Sequence, residues 1–482
     1  MLILKRLVRC KPISAVRNTN SLVKHAATSV ATTTSVQAND PERRVGCNIP
    51  TRQQFERSEA MAKVRVFQIP IEDGKKIVYI PELLKLFIVP KTVEVGNYIE
   101  APDHSPAVFK PPKQQFRRCD LILNNFCNLR CIYCYSNAGV PLKKEMSFVV
   151  AQKAIDRVVA VCLGSGESKF GITLTGGGEP LLSLKLVQQI VRYCRTRSKE
   201  TGLICKLAVV SNGNFSEKIC GYLIENFDNI SISIDGTPKV HNQHRPTATG
   251  KGSFTLLERN VDRLLASGKI GVGFRMTISS YNVEQLDKHV LFLHHRWPGV
   301  LIGMEPLENT GRCASIGTIA PDPIKFAKHF VHAMRISKEH GIQIRYSIAT
   351  FKAVPDTISF CGINGRIFGV DPEGNITACT RVNTKNDPLA PLFQYGSFDT
   401  KLGDFVIYDD VYARLGALVV DSIPGCNDCF ARYNCKGDCC HLRANKYGTD
   451  FVIRKSPKCY ANRLLTLGLL CLALGLPEVF KP

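Results

Sequence analysis

From about residue 118 onward the hydrophobic pattern of the chain alternates between two rhythms. Short apolar runs bounded by Gly, Asn, Asp or Ser predict strands at 120–124, 170–175, 207–211, 230–234, 272–278 and 300–304. Between and after them come longer stretches whose apolar residues recur every three or four positions, which predict helices over 148–163, 184–197, 254–265, 283–293 and 323–340. Strands that alternate with helices predict a parallel sheet with right-handed crossovers. Six such units are too few to close an eightfold barrel, so the expected class is α/β, with an open partial (β/α)6 TIM-like barrel over 116–345.

The flanks read differently. Residues 61–115 hold short apolar runs (VRVFQIPI, KIVYIP, LFIVP) around the turn signal Asp73-Gly74, followed by a stretch with four prolines at 102–113. A small β-rich region and a linker are expected there, either as a cap or as a dock for a peptide's leader. Residues 1–60 open with Lys5, Arg6, Arg9, Lys11, Arg17 and Lys24 and hold no acidic residue before Asp40. That composition fits an organelle transit segment or a disordered basic tail, and Met61 is an alternative start. A cytoplasmic protein is expected, with the mitochondrial matrix or another organelle as the alternative. Residues 346–482 are loop-like and cysteine-rich, and end in an apolar run at 464–476 that is too short for a membrane span. A terminal helix packed on this region, and no integral membrane span, are the expectations.

Composition adds a bound. The chain has 482 residues and 20 cysteines, grouped in tight metal-type spacings with no secretory signal, so metal ligation in a reducing compartment is expected rather than a disulfide framework. Its formal charge of +22 suits an acidic partner, although scattered basic residues on solvated faces account for it equally. Chemistry concentrates in CNLRCIYC, where Cys127, Cys131 and Cys134 form a Cys-xxx-Cys-xx-Cys loop. Three thiolates hold three corners of a cubic iron–sulfur cluster and leave one iron open; a zinc site short of a fourth ligand is the alternative. The loop follows the first predicted strand, Gly176 to Pro180 the second, Ser211-Asn212-Gly213 the third, Ser233 to Gly236 the fourth and Glu305-Pro306 the sixth. Strand C-terminal ends form the rim where such barrels place their catalytic groups.

The three-cysteine loop, Tyr133 just before its last cysteine and the later Gly177-Gly178-Glu179-Pro180 together resemble the radical S-adenosylmethionine (radical SAM) superfamily. The resemblance implies a [4Fe-4S] cluster on Cys127, Cys131 and Cys134 whose open iron binds S-adenosyl-L-methionine, and a 5′-deoxyadenosyl radical that takes hydrogen from a substrate. It implies further that the glycine segment meets the methionine amino group, that Ser233 and Arg245 meet its carboxylate, and that Tyr133 packs on adenine. The stretch SISIDGTPKVHNQHR, with Ser233, Asp235, His241 and Arg245, is similar to one in peptide-modifying and sulfatase-maturing members. A guanidinium fork suits a carboxylate; a salt bridge is the plainer role for Arg245.

The C-terminal cysteines carry a second resemblance. Cys361 is followed by twelve residues, Gly374, four residues and Cys379; later come Cys426-xx-Cys429, five residues, Cys435, three residues, Cys439 and finally Cys459. This resembles the seven-cysteine SPASM domain, an auxiliary-cluster module found behind radical SAM barrels. It implies two auxiliary [4Fe-4S] clusters, one on Cys361, Cys379 and Cys439, the other on Cys426, Cys429, Cys435 and Cys459. The first lacks a fourth cysteine, since sulfatase-maturing relatives place one where Ile367 stands. Either an iron is open to substrate, or a neighbour such as Cys440 or His441 fills the gap. Zinc is again the alternative for the array.

The combined reading is a radical SAM oxidoreductase acting on a peptide or protein substrate, forming a thioether or carbon–carbon cross-link in a ribosomal peptide, with a one-electron donor such as flavodoxin or ferredoxin. Formylglycine formation on a sulfatase is the nearest alternative. Sulfatase-maturing members place an Asp after the second SPASM cysteine and a Gln before GGEP, where this chain has Thr380 and Gly176, so no catalytic base is assigned. An iron–sulfur electron carrier or a zinc-type nucleic-acid binder are alternatives of another class, and the GGEP and Arg245 context speaks against both.

Overall fold

The computed structural model describes residues 61–83, 85–102, 116–139, 143–317, 319–349, 358–448 and 456–477. The basic segment 1–60 and the proline-rich stretch from 103 lie outside the described residues.

The described part of the N-terminal unit is made of strands and one short 3-10 turn, Pro81–Leu83. β1 (Met61–Arg65) pairs antiparallel with β5 (Tyr98–Pro102), while β2 (Phe67–Pro70), β3 (Lys75–Ile80) and β4 (Lys85–Pro90) form a three-stranded meander. Asp73 and Gly74 both take positive φ in the turn before β3, a conformation that costs glycine nothing and aspartate little. Val64, Val66, Val78 and Ile80 make the unit's small core.

The second unit is built on one sheet of eleven strands. Its parallel part runs β6 (Arg118–Ile122), β7 (Lys169–Thr175), β8 (Ile204–Ser211), β9 (Asn229–Ser233), β10 (Gly271–Ile278), β11 (Leu301–Pro306) and the short β12 (Ile344–Arg345), each beside its predecessor. β7 shows why these residues make strands. Phe170, Ile172 and Leu174 alternate with less buried neighbours, so that one face of the strand enters the core. Helices α1 (Phe148–Gly164), α2 (Leu184–Thr201), α3 (Glu217–Asn226), α4 (Pro238–His244), α5 (Phe254–Ser267), α6 (Leu286–Arg296) and α7 (Pro323–Glu339) connect or follow the strands. This is the expected partial barrel. The pattern reading missed α3 and α4, which are too short to repeat a 3.6-residue period convincingly.

The sheet does not stop at the expected boundary at 346. β13 (Phe368–Val370) lies parallel to β6, with Phe368 opposite Cys119, and β14 (Asn375–Thr377), β15 (Gln394–Asp399) and β16 (Asp404–Ile407) continue antiparallel from it. The cysteine-rich region is therefore grafted on the edge strand of the barrel, where β6 would otherwise leave its backbone groups unpaired. The apolar run at 464–476 belongs mostly to a helix, α9 (Pro457–Ala473), whose leucines are buried on almost every side. Gly468 of α9 faces Val331 of α7 so closely that a Cβ would stand 2.6 Å from a valine methyl. No helix among the described residues is long and apolar enough to cross a membrane.

Candidate active site

After β6 the chain leaves the sheet and is sewn to the rim on both sides. Gly178 N donates to Asn124 O at 2.8 Å and Glu179 N to Phe126 O at 2.9 Å, while Arg130 N and Ile132 N donate to Pro246 O and His244 O. Arg312 completes the frame, with its backbone N–H on Cys134 O and its guanidinium on Cys131 O and Ala138 O at 2.7 Å each. Within this frame the sulfurs of the loop accept hydrogen bonds. Leu129 N and Asn212 Nδ2 stand 3.4 and 3.6 Å from Cys127 Sγ, and Ala138 N stands 3.4 Å from Cys134 Sγ. Burial pushes the Cys127 thiol up to about 11 and the Cys131 thiol up to about 12; Arg245 opposes it at Cys131, and the other thiols of the loop add to it. Among the described residues no three His, Cys, Asp or Glu side chains converge as tightly as one metal ion requires. A cubane asks for less, because each thiolate takes a different iron. Three neighbouring thiols ringed by N–H donors and a guanidinium are a donor set that fits it.

The glycines of GGEP are required by proximity rather than by φ. A Cβ on Gly178 would collide with Phe126 O and Asn124 Oδ1, and one on Gly176 with Gly178 O. Tyr135 Oη donates to Gly176 O at 2.8 Å and the Ser136 hydroxyl to Gly177 O, so the turn is pinned to the cysteine loop. Glu179 turns inward. Its carboxylate accepts from Ser211 Oγ at 2.9 Å, Asn212 N at 2.8 Å and Leu181 N at 3.3 Å, which locks GGEP to the end of β8. Burial raises this carboxyl to about 7 against the pull of those three donors. Pro180 begins a short 3-10 turn capped by Glu179.

Asp235, fully buried beyond β9, is the polar centre of the next segment. Arg245 Nε donates to its Oδ2 at 2.9 Å and Nη2 to its Oδ1 at 3.3 Å. Thr277 N donates to Oδ1 at 3.0 Å, the Tyr133 hydroxyl reaches Oδ2, and His244 Nδ1 lies 3.2 Å from it. Burial alone would raise the Asp235 carboxyl, but Arg245 foremost and His244 after it hold it well below the usual carboxylate range.

The C-terminal cysteines gather into two groups. Cys361 is an exposed residue, yet the protein around its thiol foremost, and then the charges of Cys439, Cys379 and Cys440, push that thiol up; Cys379 also acts on Cys439. Cys429 and Cys459 act on both Cys426 and Cys435. Local geometry sets these positions: Cys429 N closes a turn on Cys426 O at 2.9 Å, and the N-cap hydroxyl of α9, Ser456, takes Cys459 N at 3.2 Å. A cavity of about 250 Å³ is lined by Tyr135, which follows Cys134, by Thr310 and Gly311, and by Arg381, His441 and Asn445 of the C-terminal region. Arg381 spans it, with its guanidinium 5.7 Å from the Tyr135 ring centre and 3.4 Å from Thr310 Oγ1.

The sequence profile of the radical SAM superfamily matches residues 121–293, the segment that holds the loop, GGEP and the Asp235 centre. These residues form a radical SAM domain. An uncharacterized protein of Methanocaldococcus jannaschii is 33% identical over 174 residues, 36% of this chain and 57% of that protein. A cysteine-type anaerobic sulfatase-maturating enzyme of Clostridium perfringens is 20% identical over 265 residues, 52% of this chain and 71% of that enzyme. The sporulation killing factor maturation protein of Bacillus subtilis is 32% identical over 176 residues, 35% of this chain and 37% of that protein. The chain thus spans little more than half of the archaeal relative and about a third of the Bacillus one. Among solved structures, native anSMEcpe with bound AdoMet is similar with a TM-score of 0.59 at 19% identity, over 74% of this chain and 99% of that one, a likeness of fold.

Two residues that the resemblance gives to AdoMet are held by protein groups in this structure. Tyr133 is buried, its hydroxyl on Asp235 and its ring edge-on to His244, packed with Leu307, Cys313 and Ile319. That is core packing. Arg245 gives two of its donors to Asp235 and lies 5.2 Å from the Tyr133 ring centre, so its fork is committed to a protein carboxylate. Ser233 stands half-buried at the rim end of β9, opposite Arg275 of β10. Arg275, which the pattern reading passed over, acts on both Tyr135 and Glu305. Arg381 was missed too, and its signal was its place two residues after Cys379.

Proposed function

We propose that this radical SAM protein oxidatively modifies a side chain of a peptide or protein substrate held between the three-cysteine loop and the Cys361 group. The observation that carries the reading is the cavity bounded by Tyr135 on one side and by Arg381 and His441 on the other. When bound at Cys127, Cys131 and Cys134, a [4Fe-4S] cluster with S-adenosyl-L-methionine supplies reductive cleavage of AdoMet and hydrogen-atom abstraction. The chain's own residues position and shield. Gly177 and Gly178 bring backbone close to the loop, Glu179 fixes that turn to β8, Ser233 and Arg275 offer polar groups at the rim, and Arg245 places positive charge near Cys131. Cys361, Cys379 and Cys439, and Cys426, Cys429, Cys435 and Cys459, hold two auxiliary [4Fe-4S] clusters, with electrons supplied by a donor such as flavodoxin or ferredoxin.

Two products remain in contention. A thioether or carbon–carbon cross-link accords with the similarity to the Bacillus maturation protein. Formylglycine formation accords with the similarity to the Clostridium enzyme and to native anSMEcpe solved with AdoMet and a Cp18Cys peptide, at a TM-score of 0.58; Thr380 stands where such enzymes carry an Asp. Anaerobic reconstitution with iron and sulfide, on the intact chain and on Cys127/Cys131/Cys134→Ala, tests the shared reading. About twelve irons falling to about eight, with 5′-deoxyadenosine formation lost, is expected. Zinc in place of iron, or AdoMet cleavage that survives the substitutions, would sink it.

A further inference from the structure

On the reading above, in which a peptide occupies the cavity lined by Tyr135, Arg381 and His441, we propose that Arg381 pairs there with a carboxylate of the substrate and so selects for it. The substrate is then a peptide that brings an acidic side chain, or its own C-terminus, to this cavity.

Arginines drawn into this unit are elsewhere answered by protein oxygens: Arg245 by Asp235, Arg197 by Asp156 and Glu200, and Arg312 by the carbonyls of Cys131 and Ala138. Arg381 is half-buried and is answered by much less. A guanidinium has five N–H donors, and here one of them meets Thr310 Oγ1 at 3.4 Å, at the long end for a hydrogen bond. The Tyr135 ring lies 5.7 Å from the guanidinium carbon, a cation–π contact that uses its charge and none of its N–H groups. Among the described residues no carboxylate forms an ion pair with it. Asp387, the acidic residue in the lining, instead accepts from Leu389 N at 2.8 Å. The positive charge of Arg381 does oppose the rise of the Cys379 and Cys439 thiols, and service to those sulfurs is its plainer role.

A second unanswered group lines the same cavity. His441 and Asn445 stand four residues apart on α8 (Cys440–Tyr447) and so present one face of it to the cavity. His441 is 7% exposed, and its Nδ1 is buried without a hydrogen-bond partner among the described residues. A buried polar atom is costly to leave unpaired. A carboxylate answers both side chains, because its two oxygens match the guanidinium fork and keep lone pairs for a further donor. At longer range the formal charge of +22 draws an acidic peptide to the chain. The lining also adjoins the three-cysteine loop, since a Cβ on Gly311 would stand 2.4 Å from Cys134 O. A carboxylate held by Arg381 therefore sets which neighbouring residue of the peptide faces that loop.

The test selects short random peptides for binding to the full chain, reconstituted anaerobically with iron and sulfide and saturated with AdoMet. One library is tethered through its C-terminus, so that only side chains carry carboxylate; the other is tethered through its N-terminus and leaves the terminal carboxylate free. Asp and Glu at one position of the first, or a free C-terminus over an amide in the second, should be favoured at least about tenfold. Arg381→Gln should abolish that preference, and Arg381→Glu should turn it toward Lys and Arg, a reversal that a merely structural role would not give. Arg263→Gln removes one charge from a surface pair with Glu217 and should leave the preference intact, which separates it from the general pull of a basic chain. Binders of the intact chain without a carboxylate preference would overturn the proposal even if the variants failed to fold, as would a preference that survives Arg381→Gln. Iron lost from Arg381→Gln would assign the guanidinium to the thiolates instead and overturn it too. An intact chain that cleaves AdoMet yet selects no peptide would remove the peptide reading, and the proposal with it, while the radical chemistry stood.

Discussion

The two cysteine regions of this chain are held in place in different ways. The three-cysteine loop is fixed from outside. Its backbone is bonded to residues after β7, β9 and β11 and its Asn128 side chain to residues after β8, and N–H groups already face the sulfurs of Cys127 and Cys134. The C-terminal array relies on its own turns, where Cys361, Lys436 and Asp438 adopt positive φ. Non-glycine residues pay for that conformation and keep it only when something else over-determines it. The barrel can shape its site before any iron arrives, whereas an array that holds clusters, as proposed, would gain its shape with them.

Removing iron should therefore separate the two regions, and this is the largest effect expected. In hydrogen exchange under chelator, the segments 358–367 and 423–448 should lose most of their protection while β6 to β11 keep theirs. Equal loss in both would mean that the barrel rim also folds around its metal.

The next test lies within the barrel and compares two buried carboxylates. Asp235 faces Arg245, whereas Glu179 faces neutral donors only. Asp235→Asn strands a buried guanidinium, so a cost of about 3–5 kcal/mol is expected in denaturant unfolding. Glu179→Gln keeps the shape and should cost under about 2 kcal/mol. Their pH signatures have opposite sign. Asp235 is depressed, so its contribution is complete above about pH 4, the unfolded value, and is lost only as pH falls further. Glu179 is raised to about 7, so its contribution is complete below about pH 4 and fades as pH rises toward 7. Between pH 5 and 7 the stability of Glu179→Gln should rise relative to that of the parent as pH increases, because only the parent holds this raised carboxyl.

These residues also show what the sequence made readable. Strands and helices could be placed because periods of two and 3.6 are local, and the two cysteine sets because metal spacing is local as well. GGEP was readable as a close approach, since only glycine permits one. The Asp235–Arg245 pair was not: a salt bridge was open to Arg245, but nothing in the order of residues names Asp235 as its partner. The same holds for β13 docking on β6, which joins residues about 250 positions apart through backbone groups that carry no sequence signal.

Gly178→Ala sharpens the comparison at smaller cost. The added methyl meets Phe126 O and Asn124 Oδ1, backbone and a buried amide that cannot swing away. Overpacking of this kind costs about 1–3 kcal/mol. Because the displaced carbonyl belongs to the residue before Cys127, 5′-deoxyadenosine formation should fall well beyond what lost stability explains. The equivalent change in the C-terminal unit, Gly425→Ala, has nothing within 4 Å to meet and suffers only its positive φ of 82°. It should weaken stability by about 1 kcal/mol and spare the assay.

The smallest effect is expected where the two regions are tied to each other by charge. Lys144, before α1, forms an ion pair with Glu373 in the β13–β14 turn, and Glu373 also accepts from Thr384 Oγ1 and Lys385 N at 3.1 Å each. The pair looks like a clasp between barrel and array, but its side chains are 33% and 19% exposed, and water screens most of what such a pair gains. A double-mutant cycle of Lys144→Ala and Glu373→Gln should return a coupling below about 1 kcal/mol. Glu373→Gln alone should cost more than Lys144→Ala, because the carboxylate also holds the 384–385 loop. A coupling of several kcal/mol would reverse the comparison, since the array would then be held by the barrel through this clasp and not by its own turns and the clusters proposed for it.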